Sequence, residues 1–154
     1  MNLHFEPVDP ENRKDVESLQ VLPEQTGFIE SVRECMIEAD ELKAWKPVGI
    51  YDGDLLIGFA MYGCFSDSQP ARGVWLDRIL IDRKYQGKGY GKAATLALLK
   101  RLYQEYGAEQ VYLSVYESNV AAVALYQQLG FQFNGKNDTK GEKIMVHTAS
   151  EKFL

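Results

Sequence analysis

The chain has 154 residues, 45% of them hydrophobic, with 22 acids against 17 bases and a formal charge of −5. That length and apolar content suit one domain over residues 1–154 with a single substantial core. The acidic balance argues against nucleic acid, which needs a broad basic face. No apolar run approaches the roughly 18 residues of a membrane span, and no apolar leader follows Met1, so a cytoplasmic protein is expected.

Residues 3–8 read as a first strand. Asp9-Pro10 then supplies a cap and a proline at the first helical position, opening a helix that carries Val16 and Leu19 and breaks near Pro23. Phe28, Ile29, Val32, Cys35, Met36 and Ala39 recur at helical spacing, which predicts a second helix over 26–41 with that face packed. Glu30, Glu34, Glu38 and Glu41 fall on the opposite stripe. Like charges so spaced repel by a few tenths of a kcal/mol per pair unless a cation offsets them. The stripe is therefore either a solvated face or a collector of polycations.

Pro47 is expected to separate this helix from the sheet. Residues 48–51 and 55–62 read as strands joined by Asp52-Gly53-Asp54, whose Asp-Gly pair signals a hairpin, and a polar loop covers 66–73. Residues 74–81 read as a strand and 92–106 as a helix through Leu98, Leu99, Leu102 and Tyr106. With a strand at 110–115 they form a βαβ unit, parallel and right-handed. Asn119 caps a last helix whose inner face is Ala122, Leu125, Tyr126 and Leu129, stopped by Gly130. Strands at 131–134 and 143–147 end the chain. The order β-α-α-β-β-β-α-β-α-β-β predicts an α/β (α+β) fold, a mixed and mostly antiparallel sheet with helices on both faces.

Cys35 and Cys64 show no metal or redox spacing and are expected to be buried free thiols. His4 and His147 lie near the termini, where ordinary surface or strand roles are expected. The first 60 residues hold 13 acids against 5 bases and the rest 9 against 12, with Arg83, Lys84, Lys88 and Lys92 clustered together. A small anionic ligand near that cluster suits the pattern.

The cluster surrounds Gln86-Gly87-Lys88-Gly89-Tyr90-Gly91-Lys92, three alternate glycines between a strand and a helix. Such a joint is either a tight turn or a phosphate cradle, in which backbone N–H groups at a helix N-terminus meet an anion that glycine lets approach closely. A P-loop needs Ser or Thr after Gly-Lys, and Ala93 stands there. A dinucleotide fingerprint counted from Gly87 puts its third glycine on Lys92; counted from Gly89 it reaches Ala94, with no clear acid for a ribose.

The loop resembles the pyrophosphate loop of the GCN5-related N-acetyltransferases, Gln or Arg-x-x-Gly-x-Gly or Ala, and follows Leu76-Asp77-Arg78-Ile79-Leu80-Ile81 where that family has its acetyl-CoA strand. Asn119-Val120-Ala121-Ala122-Val123-Ala124-Leu125-Tyr126, followed by Gly130-Phe131, is similar to the family's Asn-x-x-Ala-x-x-Leu-Tyr segment and its Gly-Phe. The resemblance implies the GNAT fold, acetyl-CoA as cosubstrate, no metal, and direct attack in a ternary complex. It places the backbone of Ile79, Leu80 and Ile81 along the pantetheine arm. Gln86, Gly87, Lys88, Gly89, Tyr90, Gly91 and Lys92 would hold the pyrophosphate, Asn119 and Ala122 would lie beside the pantetheine, and Tyr126 would protonate the leaving thiolate. Read alone, Tyr126 is equally a core aromatic.

An amine acceptor arrives as ammonium, so it needs an acidic surface and a base. Asp77, an acid inside an apolar strand, stands where spermidine/spermine acetyltransferases of the family have a glutamate acting as base through water; Arg78 departs from their second acid. Ion pairing between Asp77 and Arg78 is the structural alternative. Further stretches, among them Lys46-Pro47-Val48-Gly49, Val74-Trp75-Leu76-Asp77-Arg78 and Gly141-Glu142-Lys143, resemble the bacterial spermine/spermidine enzymes of the family. The resemblance implies a polyamine acceptor at Asp77 and pairing as a homodimer, and the acidic stripe adds Glu30 and Glu34 as residues expected to bind that acceptor. Another cationic amine (a protein N-terminus, lysine or an aminoglycoside) and a non-catalytic acyl-CoA-binding module stay open.

Overall fold

A computed structural model describes residues 1–26, 31–65, 73–138 and 140–150. Its elements are β1 (Leu3–Pro7), α1 (Arg13–Glu17), α2 (Val32–Glu41), β2 (Trp45–Asp52), β3 (Leu55–Phe65), β4 (Gly73–Ile81), α3 (Tyr90–Tyr106), β5 (Gln110–Val115), α4 (Val120–Gln128), β6 (Gln132–Asn137) and β7 (Lys143–Thr148). Short 3-10 turns lie at Pro23–Gln25 and Arg83–Tyr85. The strands form one sheet ordered β1-β2-β3-β4-β5-β7-β6, antiparallel throughout except for β4 against β5. Element order and sheet type are those expected.

Helices cover both faces. Leu98, Leu99 and Leu102 of α3 pack on Ile50, Tyr62, Leu76, Val111 and Phe131 in the larger core. On the other face Val16 of α1 and Val32, Cys35, Met36 and Ala39 of α2 pack on Phe59, Met61 and Leu80. Fully burying one such aliphatic side chain is worth about 1.5–3 kcal/mol, so these stripes hold the helices to the sheet.

Two irregularities in β4 create the site. Met61 pairs with Arg78 and Tyr62 with Leu76, leaving Asp77 as the extra residue of a β-bulge. The bulge reverses the strand's alternation: Leu76 joins the α3 core, yet Leu80, an even number of residues on, joins the α1–α2 core. Then β4 and β5 pair only through Val74–Val111 and Trp75–Tyr112 before they part. Beyond Trp75 the edge of β4 facing β5 has no strand partner among the described residues, and a wedge opens between the two.

Several boundaries differ from expectation. α1 ends at Glu17, before Leu19, and the 26–41 helix starts only at Val32. A separate turn precedes it, and Ser31 caps it in a capping box with Glu34, a stop-start that apolar spacing does not reveal. Phe28 and Ile29 lie outside the described residues. Pro47 sits inside β2 rather than before it. Its carbonyl accepts from Val8 N–H at 3.1 Å, so its missing donor faces the end of β1 and costs no ladder bond. Cys35 is buried, but Cys64 is exposed, correcting the buried reading. It lies next to the end of β3 on the face opposite Phe65, which packs edge-on to Trp45.

Candidate active site

The wedge between β4 and β5 is a cavity of about 320 Å³ whose wall combines Asp77 to Ile81 of β4, the glycine loop, Ser114 and Val115 of β5, one face of α4, and Glu142. Each side follows from local sequence.

On the loop side, Gly87 (φ +78°) and Gly89 (φ +85°) take the left-handed conformation, and Gly89 is the N-cap of α3. No side chain caps that helix, so its first N–H groups are left to face a ligand, with the positive end of the helix dipole behind them. Other side chains hold the loop rather than enter the cavity. Gln86 Nε2 donates to Ile81 O at 3.0 Å and to Gln25 Oε1 at 2.9 Å, tying the start of the loop to the end of β4 and to the turn before α2. Asp82 caps the intervening turn, accepting from Lys84 N at 3.1 Å and Gln20 N at 2.8 Å. Tyr90 O–H donates to Asp52 Oδ2 at 2.5 Å, anchoring the loop to the β2–β3 hairpin. That bond, with the Asn2 N–H, holds the Asp52 carboxyl below the usual range and raises the Tyr90 phenol. Lys88 and Lys92 are absent from the cavity wall; Lys88 Nζ lies 5.8 Å from the centre of the Tyr85 ring.

On the α4 side, Asn119 Oδ1 accepts from Ala122 N at 3.4 Å, and Asn119, Ala122 and Tyr126 all border the cavity. The Tyr126 ring stands edge-on to Phe131 at 5.7 Å. Burial pushes its phenol up to about 12, against a smaller opposing pull from the Arg78 charge. The end of α4 is pinned beneath: Gly130 turns at φ +103°, and His147 Nε2 lies 3.1 Å from Leu129 O while its Nδ1 lies 2.6 Å from Tyr103 O–H.

The bulge sets Asp77 in the cavity wall, and its ion-pair alternative is realised too. Arg78 Nη1 lies 3.6 Å from Asp77 Oδ1 and donates to Asp77 O at 2.8 Å. Arg78, at 8% exposure, borders the cavity as well as pairing with Asp77, a place that its expected roles as ion-pair partner and as departure from the family pattern do not include. Glu142 was missed as a site residue altogether. It lies in the β6–β7 connection, 5% exposed, and Ser114 Oγ donates to its Oε2 at 2.9 Å. A buried acid in a loop was the available signal, but burial there depends on the β5–β7 pairing.

Of the expected substrate acids of the N-terminal third, Glu34 does not border this cavity. Glu30 lies outside the described residues. Glu34 Oε1 accepts from Ser31 N at 3.2 Å and Ser31 Oγ at 3.0 Å, and the residue borders a second cavity beside α2. Among the described residues no group of His, Cys, Asp and Glu is arranged to hold a metal, and no helix is long and apolar enough to cross a membrane.

A strand edge left unpaired by splaying, a glycine loop on a helix N-terminus and a Tyr-bearing helix across the gap make an acyl-donor cleft. Residues 13–131 match the acetyltransferase (GNAT) family, and the chain belongs to it. It is 46% identical over 151 residues, 95% of this chain and 98% of the relative, to the spermine/spermidine N(1)-acetyltransferase of Bacillus subtilis (strain 168). Among solved structures it superposes on the spermidine N-acetyltransferase from Vibrio cholerae in complex with CoA and spermine, with TM-score 0.73, 18% identity and 99% of each chain covered. The ribosomal-protein-S18-alanine N-acetyltransferase from Escherichia coli shares the fold too, at TM-score 0.65, 23% identity and 97% of each chain.

Proposed function

We propose that this protein transfers the acetyl group of acetyl-CoA to a primary amine of a polyamine, spermine or spermidine, by direct attack in a ternary complex. The observation that carries this reading is the 46% identity, over nearly the full length of both chains, to the Bacillus subtilis spermine/spermidine enzyme. The fold alone carries no acceptor, since an enzyme acting on a ribosomal protein shares it.

The residues present fit the cofactor. The open edge of β4 offers the backbone of Ile79, Leu80 and Ile81 to an extended amide-bearing arm, as an added strand pairs with a sheet edge. Gln86 to Lys92 cradle the pyrophosphate through their backbone, Gly87 and Gly89 supplying conformations that other residues rarely adopt. Asn119 and Ala122 flank the sulfur end. When bound, acetyl-CoA supplies the activated thioester.

Asp77 takes a proton from the ammonium, directly or through one water, freeing the nitrogen lone pair; the parent amine has a pKa of about 10 and is otherwise protonated. The C–N bond forms as the C–S bond breaks. Tyr126 stands opposite as donor to the leaving sulfur. With its phenol near 12 it stays protonated at neutral pH. Against a CoA thiol of pKa about 8.5 it stabilises the thiolate by a hydrogen bond rather than by downhill proton transfer.

Glu34 and Glu30 would act on the approach of the polycation. The setting is taken to be the cytoplasm and the working unit a homodimer, which sedimentation of the purified protein checks. The reaction is tested by following CoA release with acetyl-CoA and spermine, spermidine, diamines, aminoglycosides and peptides. Release with spermine or spermidine well above the rest is expected, and no release above background with any polyamine would sink the reading.

A further inference from the structure

The two carboxylates of the cavity wall differ in their neutralisation. Asp77 has the Arg78 guanidinium 3.6 Å away. Glu142 is buried at 5% exposure and forms no ion pair among the described residues. One of its oxygens, Oε2, accepts from Ser114; the other, Oε1, has no hydrogen-bond partner among the described residues. A nearly buried carboxylate that borders a cavity, with one oxygen held by a neighbour and the other to spare, is placed to accept from a cation entering that cavity.

The position is built rather than incidental. Glu142 N donates to Asp138 Oδ1 at 2.8 Å and Asp138 N to Glu142 O at 2.8 Å, closing the β6–β7 connection on itself. Lys140 of the same connection reaches Glu38 of α2 at 3.9 Å. Ser114, the side chain that orients Glu142, lies on β5 opposite Ile144 of β7. The register that pairs Val74 with Val111, continued along both strands, would set Ser114 across the wedge from Asp77.

We infer that Glu142, oriented by Ser114, is the subsite that receives an ammonium group of the acceptor, so that the incoming cation completes the pairing the protein withholds; this rests on the function proposed above. Asp77, already beside Arg78, is left to handle the proton. Glu142 then decides between charged and uncharged acceptors, and the geometry of Ser114 sets how tightly the charge is held.

The test uses the full chain and the substitutions Glu142→Gln, which keeps the Ser114 hydrogen bond, and Ser114→Ala. In steady-state CoA release, Glu142→Gln is expected to raise the KM for spermidine at least tenfold and to leave the KM for acetyl-CoA within twofold; Ser114→Ala gives a smaller rise in the same constant. An unchanged spermidine KM in an active Glu142→Gln enzyme, or equal rises in both KM values, overturns the assignment. Calorimetric titration of the CoA-loaded protein with spermidine reads the subsite without turnover. If wild type binds spermidine but acetylates nothing, and Glu142→Gln abolishes binding, the proposed function falls and the subsite stands. If wild type neither binds nor acetylates polyamines, both fall.

Discussion

The two sides of the wedge are built on different principles. The cofactor side, from β4 through the loop and α3 to α4, presents backbone: an unpaired strand edge, two left-handed glycines and a helix N-terminus. The other side, which the proposed function gives to the acceptor, presents charged side chains delivered from separate places, Asp77 from a bulge and Glu142 from a loop. A backbone site serves one ligand shared by many enzymes, because any compatible sequence can build it. A side-chain site can be retuned residue by residue while the fold is kept, and the fold is shared by a spermidine and a ribosomal-protein-S18-alanine N-acetyltransferase.

The division is broken most strongly at its junction. Tyr126→Phe removes the hydroxyl proposed to donate to the leaving sulfur and is expected to lower kcat about 10²-fold with little change in either KM, read under conditions where chemistry limits the rate. A wild-type rate removes the role. The same residue gives a stability signature at high pH. The folded-state pKa values of Tyr103 and Tyr126 are pushed up to about 12, against about 10 unfolded. The folded state therefore keeps protons that the unfolded state releases. Their contribution is fully present below about pH 10 and is lost as pH rises towards about 12. Thermal melts across that window should show a steeper fall for wild type than for Tyr126→Phe.

Gly58 comes next. A Cβ there would collide with the Leu80 carbonyl oxygen on the strand that carries the cofactor edge. Gly58→Ala is expected to cost about 2 kcal/mol in chemical denaturation and to raise the acetyl-CoA KM. Gly89→Val, forced into a left-handed conformation, should raise the acetyl-CoA KM about tenfold and leave the amine KM unchanged. A rise in both constants would erase the distinction between the two sides. The smallest effect belongs to Ser31→Ala, which removes the α2 cap and should cost about 1 kcal/mol in stability while sparing the acetyl-CoA KM.

How much of this was legible in the sequence follows the same division. The order of elements along the chain, the βαβ unit, the glycine loop and the Asn119-capped helix follow from local patterns, and each lies where expected. The bulge at Asp77 arises from register between β3 and β4, and the parting of β4 from β5 from how far two strands pair; neither leaves a local mark. Glu142 was invisible as a site residue for the same reason, since only the β5–β7 pairing brings Ser114 to it. At Glu34 the local pattern holds a structural role beside the proposed one: Ser31-x-x-Glu34 forms the capping box of α2. Lys88 and Lys92, expected at the pyrophosphate from the charge cluster and the family motif, do not border the cavity, whereas Gly87, Gly89 and Gly91 of the same loop do.

The central claim is that a polyamine is the acceptor, and one competition measures it directly. Spermine, spermidine, an alanine-ended peptide and an aminoglycoside are mixed in equal amounts with limiting acetyl-CoA and the enzyme, and the products are identified by mass spectrometry. Acetylated spermine or spermidine should account for nearly all of the acetyl group transferred; a mixture dominated by acetylated peptide or aminoglycoside would contradict the account.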